Sequence, residues 1–426
     1  VRADDEAWLQ AMLDTEAALA RAVERAGLAP PGSGAAVTSA ARAELFDATA
    51  IGRAGTAIGN PVQALVKALI SALPENTGGT VQAVHRGATS QDIIDTAAML
   101  IARQALTAIL DDLDVAAGAS VRLAEDHVST VMAGRTLLQQ AVPVTFGLVA
   151  ANWLTAIDEA RAQLRNIRDT KLALQYGGAA GTLASLDDKG LEVTGYLSEE
   201  LGLAAPALPW HTDRLRILSL ASALTATCAA LGKTARDITL LAQTEIAEVA
   251  EGTAGGSSAM PHKQNPVASV VILGCTRQAP GLLATIAAAA EQELQRAAGA
   301  WHAEWQPLSH LLELTGSAAS WSADLLGNLK VNQVRMRENL AASLGLPMAE
   351  HVAALLAPSM DRLEAHDLVA DASKQPEGLA DALIADERVT LSREELDSAL
   401  APESYLGSAR EFVARALAAH ARSVLA

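Results

Sequence analysis

From Ile93 to Glu125 the chain contains no proline, and its apolar residues recur at helical spacing: Leu106, Ile109, Leu110, Leu113, then Val121. Three more stretches, near 144–172, 209–250 and 266–294, read the same way, with another near 307–343. Helices this long, joined by few breaks, bury their stripes chiefly against one another. The pattern therefore predicts an all-α chain with an elongated helical bundle at its centre. Composition agrees. Half of the 426 residues are hydrophobic but only 3% are aromatic, and strands usually lean on β-branched and aromatic side chains. No run of alternating strand residues is convincing.

The length predicts two to four domains. Three regions are expected: residues 1–103, a long central bundle over 104–345, and shorter capped helices over 346–426. An early helix over Trp8–Arg25 carries Leu9, Met12, Leu13, Ala17 and Ala20 on one stripe. Glu16 falls within that stripe, which predicts a wet edge there. Pro30-Pro31-Gly32-Ser33-Gly34 ends this helix, and residues 74–79 break the next group. Ser392-Arg393-Glu394-Glu395 is a capping-box pattern. The uncharged run Thr136–Ile157 is long enough to span a membrane, but it contains Gln139, Gln140, Pro143 and Asn152. It reads as a polar loop followed by a buried helix.

The formal charge is 32 − 49 = −17. So acidic a chain suits neither nucleic acid nor an anionic membrane, and an anionic ligand needs a local cationic pocket. Cys228 and Cys275 form no CxxC pair, so neither a disulfide framework nor a zinc site is suggested. A reducing, cytoplasmic compartment is expected, and Val1–Glu6 is too polar for a secretory leader.

Four segments carry possible chemistry. Gly255–Pro266 places Ser257, Lys263 and Asn265 beside an apolar helix, with Asn265 as a good N-cap and Pro266 as a good first helical residue. A helix terminus of that kind suits a carboxylate or phosphate; the bland alternative is a Gly/Ser linker capped by Asn-Pro. His85-Arg86-Gly87-Ala88-Thr89-Ser90-Gln91-Asp92 offers a titratable ring, a cation and two hydroxyls before a helix, or simply a capped turn. Gly134–Pro143 reads by itself as the polar start of a helix. Gln292–Arg296 is followed by Trp301-His302-Ala303-Glu304-Trp305, whose tryptophans share a helix face and read as core packing, leaving Arg296 and His302 as the polar candidates.

Together these segments resemble the fumarase/aspartase superfamily. Its signature, glycine-serine-serine-any-methionine-proline-any-lysine-any-asparagine-proline, is matched at every fixed position from Gly256 to Pro266. His85–Asp92 resembles the family's first signature segment, and Thr136–Pro143 its second. The resemblance implies three helical domains and a homotetramer whose five-helix bundles pack into a twenty-helix core. It further implies active sites shared among subunits, a small-molecule substrate, and no metal or organic cofactor. Carried over residue by residue, Ser257 is the catalytic loop serine and His85 a candidate proton carrier. Thr89, Ser90, Gln139, Lys263, Asn265 and Arg296 are implied to bind substrate.

Members that eliminate from succinyl compounds usually carry a histidine after the threonine of the second segment. Here that position is Leu137. His85–Asp92, Met260-Pro261-His262-Lys263 and Trp301–Trp305 further resemble the family's cycloisomerases, which implies an activity in which one carboxylate of a tricarboxylate adds across a diene to close a γ-lactone. The alternatives are a lyase releasing fumarate, such as adenylosuccinate lyase, and a non-catalytic structural relative, against which Ser257, Lys263 and Asn265 argue.

Overall fold

The computed structural model describes residues 1–74, 79–252, 255, 256, 260 and 263–425. These are largely helical, as the apolar spacing predicts. They group into two compact units: residues 1–112, 160–229 and 274–320 form one, and residues 113–159, 230–273 and 321–426 the other. The long helices Ser90–Asp126, Phe146–Thr170, Leu215–Leu241 and Trp305–Gly327 each contribute residues to both.

In the first unit, helix Asp5–Arg25 starts where the Asp4 carboxylate accepts the Ala7 N–H at 2.9 Å, and it ends before Gly27 at φ 76°. It buries Leu9, Met12, Leu13, Leu19 and Val23. Each large aliphatic side chain removed from water contributes about 1.5–3 kcal/mol. Glu16 is fully buried on the same helix, so the expected wet edge is absent.

In the second unit, the stretch read as a polar loop is a β-hairpin. Strand Val131–Thr136 pairs antiparallel with Gln139–Thr145, with a register shift between Ala133 and Arg135. Leu137 and Leu138 close the turn with φ of 51° and 65°, the left-handed pair of a two-residue hairpin turn. Pro143 lacks the N–H an interior helical position needs, and the helix begins only at Phe146. Two other expected long helices are interrupted. Val267–Thr276 is followed by a separate helix, Ala279–Ala289, with a proline in its first turn. Trp305–Gly327 is separated from Gln333–Ala341 by Lys330–Val331, which pairs with Val249–Ala250.

Towards the C-terminus, helices Ala349–Leu356, Arg362–Ala372, Leu379–Ile384 and Arg393–Ala399 enclose Val352, Leu356, Leu368, Leu379, Leu383 and Leu396. The capping box at Ser392 forms: the Ser392 N–H donates to Glu395 at 2.8 Å, and the Glu395 N–H donates to the Ser392 hydroxyl at 3.3 Å. Among the described residues, three helical stretches are long and apolar enough to cross a membrane by length and composition. The share of the apolar window buried is 78% for Ser90–Asp126, 44% for Leu215–Leu241 and 22% for Val267–Ala289. The latter two therefore present much uncovered apolar surface in a single chain.

Candidate active site

In the first unit the segment His85–Asp92 leads into helix Ser90–Asp126. Gly87 has φ +71°, and a Cβ there would lie 2.7 Å from the Tyr176 hydroxyl and 2.8 Å from Leu186 Cδ1, so the tight turn requires glycine. Asp92 is buried and organises what surrounds it. Its Oδ2 accepts the N–H groups of Thr89 at 3.0 Å and Gly178 at 2.9 Å. Its Oδ1 accepts the Gly177 N–H at 3.1 Å and lies 2.6 Å from His211 Nε2. The Thr89 and Ser90 hydroxyls have no protein partner among the described residues, and both residues are half-buried.

Arg296 joins this cluster. Its Nη1 donates to Gln91 at 3.1 Å, and its Nη2 donates to the carbonyls of Gly178 and Ala179 at 2.9 Å each. Thus His85, Thr89, Ser90 and Arg296, predicted from separate segments, are brought together in one unit.

Behind them lies a buried ionic network. Arg214 pairs with Asp95 at 2.8 and 3.0 Å and with Glu304 at 2.7 Å. Gln91 and the Trp301 indole also donate to Asp95, at 3.1 and 3.0 Å. Burial pushes the Glu304 carboxyl up, against the pull of Arg214. Trp301 and Trp305 pack edge to face with centroids 4.8 Å apart, as core packing predicts. The His302 ring lies 3.1 Å from the Gly59 carbonyl.

His85 has a partner the sequence reading missed. Its Nδ1 lies 2.7 Å from Glu16 Oε1, and its backbone N–H donates to Glu16 Oε2 at 2.9 Å. Burial alone would lower the imidazole pKa, but the hydrogen bond to Glu16 and the charges of Glu16 and Asp92 outweigh it and raise the value. The available signal was an acidic residue inside an apolar stripe.

The second unit carries Gln139, Lys263 and Asn265. Gln139 is exposed beside the hairpin turn, and Leu137 at that turn is 96% exposed. The hairpin is held near its turn by Arg135, which donates to buried Glu248 at 2.8 and 2.7 Å; Asn339 adds a bond to Glu248 at 2.9 Å. Lys263 is exposed, with no side-chain partner among the described residues. Asn265 and Gly255 exchange backbone hydrogen bonds at 2.9 and 3.2 Å, closing the base of the serine loop. Ser257 lies outside the described residues.

The helix after this loop departs from expectation in two ways. It begins at Val267, and the Pro266 carbonyl accepts the Val270 N–H at 3.0 Å, so Pro266 stands where Asn265 was expected. The positive terminus, expected to face a ligand, is occupied from within. Buried Glu251 accepts the N–H groups of Ala268 and Ser269 at 2.9 Å each and the Ser269 hydroxyl at 2.7 Å. A carboxylate there satisfies two N–H groups that a helix leaves unpaired. Sequence reading missed Glu251 because the contact spans the loop.

Comparison with known proteins identifies the family. A profile described as lyase matches residues 2–281, and one described as adenylosuccinate lyase C-terminus matches residues 345–416. The chain is 45% identical to a 3-carboxy-cis,cis-muconate cycloisomerase of Pseudomonas aeruginosa over 98% of this chain and 93% of the relative. It is 43% identical to a nitrosuccinate lyase of Streptomyces davaonensis over 99% of this chain and 92% of the relative. The crystal structure of 3-carboxy-cis,cis-muconate lactonizing enzyme from Pseudomonas putida superposes with a TM-score of 0.94 at 41% identity, covering 99% of this chain and 96% of that one. With a lyase profile over most of its length and relatives this similar from end to end, the chain belongs to the lyase family of the fumarase/aspartase superfamily.

Proposed function

We propose that this chain is a cycloisomerase that closes 3-carboxy-cis,cis-muconate to 4-carboxymuconolactone, in the protocatechuate branch of the β-ketoadipate pathway. The observation that carries the reading is its end-to-end similarity, at 45% identity, to a cycloisomerase of that name. The chemistry fits a site with few cations. The nucleophile is a carboxylate of the substrate itself, ionised near neutral pH. The protein must fold the substrate into a near-attack geometry, stabilise charge on the carboxylate conjugated with the reacting carbon, and deliver a proton to that carbon. No metal or organic cofactor enters these steps.

Ser257 is assigned the catalytic loop role and His85 the carriage of the proton. Thr89 and Ser90 offer hydroxyls, without a protein partner among the described residues, to a carboxylate. Lys263, Asn265 and Gln139 are assigned polar contacts with substrate, and Arg296 the role of a planar cation. The apolar Leu137 suits a reaction whose attacking oxygen needs no base.

We propose a homotetramer with shared sites and a soluble, cytoplasmic protein that binds neither membrane nor nucleic acid. The uncovered apolar helix surface and exposed Leu137 support the assembly. The division into residues 1–103, 104–345 and 346–426 is proposed as well, supported at its last boundary by the separate core around Leu356 and Leu383.

One observation favours a second reading, the 43% identity to a nitrosuccinate lyase. Nitrite, like a carboxylate, departs as a stable anion and asks no histidine of position 137. A spectrophotometric assay with freshly generated 3-carboxy-cis,cis-muconate decides between the two. Loss of diene absorbance is expected, with no fumarate released from adenylosuccinate. Release of fumarate and nitrite from nitrosuccinate without lactonisation would replace the first reading with the second.

A further inference from the structure

We propose that Glu16 is a positioning residue that fixes His85 in its Nδ1–H form and keeps the ring cationic, so that His85 Nε2–H stores the proton the reaction delivers to carbon. The proposal rests on the cycloisomerase reading.

The geometry is a two-point hold. Both Glu16 oxygens bind the same residue, Oε1 to the ring at 2.7 Å and Oε2 to the backbone N–H at 2.9 Å. A carboxylate only accepts, so the ring's Nδ1 carries the hydrogen. The backbone contact also secures the left-handed conformation of His85, φ 54°, which a residue other than glycine adopts infrequently. Glu16 is fully buried among Leu13, Leu19 and Ala17. A buried carboxylate without a countercharge is costly, and the imidazolium is the cation within hydrogen-bonding reach. The His85 side chain keeps 24% of its surface exposed, and Nε2 has no partner among the described residues. The held edge is therefore buried, and the opposite nitrogen remains available.

The other groups around the ring agree. Asp92, at the start of helix Ser90–Asp126, adds its charge to that of Glu16 and favours the protonated ring. Asp92 is itself shared with His211. Tyr176, on the segment before Gly177, is pushed far up by burial and by the charges of Asp92 and Glu16, so it stays a neutral hydroxyl donating to the Arg86 carbonyl at 2.7 Å. Arg86, next in the chain, is exposed.

The step balances without a further reactant. The Nε2–H bond breaks, and a C–H bond forms at the carbon beside the substrate carboxylate, using the electron pair of the carbanionic intermediate. Neutral imidazole remains, its Nδ1–H still donating to Glu16, and solvent restores the proton. Because the protonated ring is the active form and its folded-state value is raised, turnover is full below that value and is lost as pH rises through it.

The test uses the full chain in two ways. Deuterium exchange at the His85 ring carbon between the nitrogens, read by mass spectrometry across pH, reports that ring's titration without needing turnover. The midpoint is expected above the ordinary imidazole value of about 6.5. The pH profiles of kcat and kcat/KM are then compared with those of Glu16→Gln. Removing the charge should lower kcat more than it changes KM and move the alkaline limb down by about one pH unit or more. His85→Gln should abolish that limb. A wild-type midpoint at or below the ordinary value, or an unmoved limb in a folded Glu16→Gln variant, overturns the proposal. If Glu16→Gln does not fold, the wild-type midpoint decides. A raised midpoint in a chain that does not lactonise supports the dyad's charge state and overturns the reaction reading instead.

Discussion

At the scale of single residues, few side chains define the cluster around Asp92. One buried carboxylate gathers the Thr89 turn, the Gly177–Gly178 backbone and His211. Arg296 reaches the same place from a distant segment, but with part of its fork committed to Gln91 and two carbonyls. It thus both grips substrate in the proposed reaction and braces the pocket wall. Arg296→Met is expected to cost about 2–5 kcal/mol of transition-state binding, the range for removing one side of a desolvated charge pair. Arg296→Lys should restore only part, since an ammonium cannot replace a planar fork that bonds in three directions. Steady-state kcat/KM measures both, and an unchanged value in Arg296→Met would take the residue out of the site.

At the scale of elements, two carboxylates anchor the segments expected to meet substrate. Glu248 ties the hairpin through Arg135, and Glu251 caps the helix that follows the serine loop. Glu251→Ala leaves two N–H groups and a hydroxyl in a buried place without acceptors. The expected loss is about 1–3 kcal/mol of folding stability, read as a lower denaturant midpoint. Glu251→Gln should lose less, because its amide oxygen still accepts. Because Gly255 and Asn265 close the same loop, kcat should fall in Glu251→Ala even under conditions where the fold is intact. Equal stability of wild type and Glu251→Ala would show that solvent satisfies the terminus as well as the carboxylate does.

For the molecule as a whole, apolar surface left uncovered in one chain is the dominant fact. The Leu215–Leu241 and Val267–Ala289 windows are 44% and 22% buried, and the hairpin turn exposes 96% of Leu137 and 68% of Leu138. In the proposed homotetramer, further copies of the chain cover that surface. Sedimentation should give a tetramer at micromolar concentration, and a monomer would remove the assembly proposal. The turn separates assembly from fold. Left-handed leucines cost roughly 1–2 kcal/mol each, so replacing Leu137→Asn together with Leu138→Gly should stabilise the hairpin as a local element. If the leucines meet a second copy, the same double substitution should weaken the tetramer by sedimentation. Unchanged assembly would place the turn away from any interface.

The sequence by itself determined the helical class, the position of most long helices, the capping box at Ser392 and the segments carrying His85, Thr89, Ser90 and Arg296. Each is written in a local pattern: apolar spacing of three and four, a cap, or a short motif. Tertiary structure decided what local pattern does not encode. The Thr136–Thr145 stretch became the turn and second strand of a hairpin because strand pairing satisfies the backbone that Pro143 denies to a helix. Glu16 became a buried partner because the turn before helix Ser90–Asp126 brings His85 to it from 69 residues away. The helix terminus after the serine loop was taken by Glu251 from across the loop. A buried charge is tolerable only beside its partner, and which residues become neighbours is settled by the packing of distant segments.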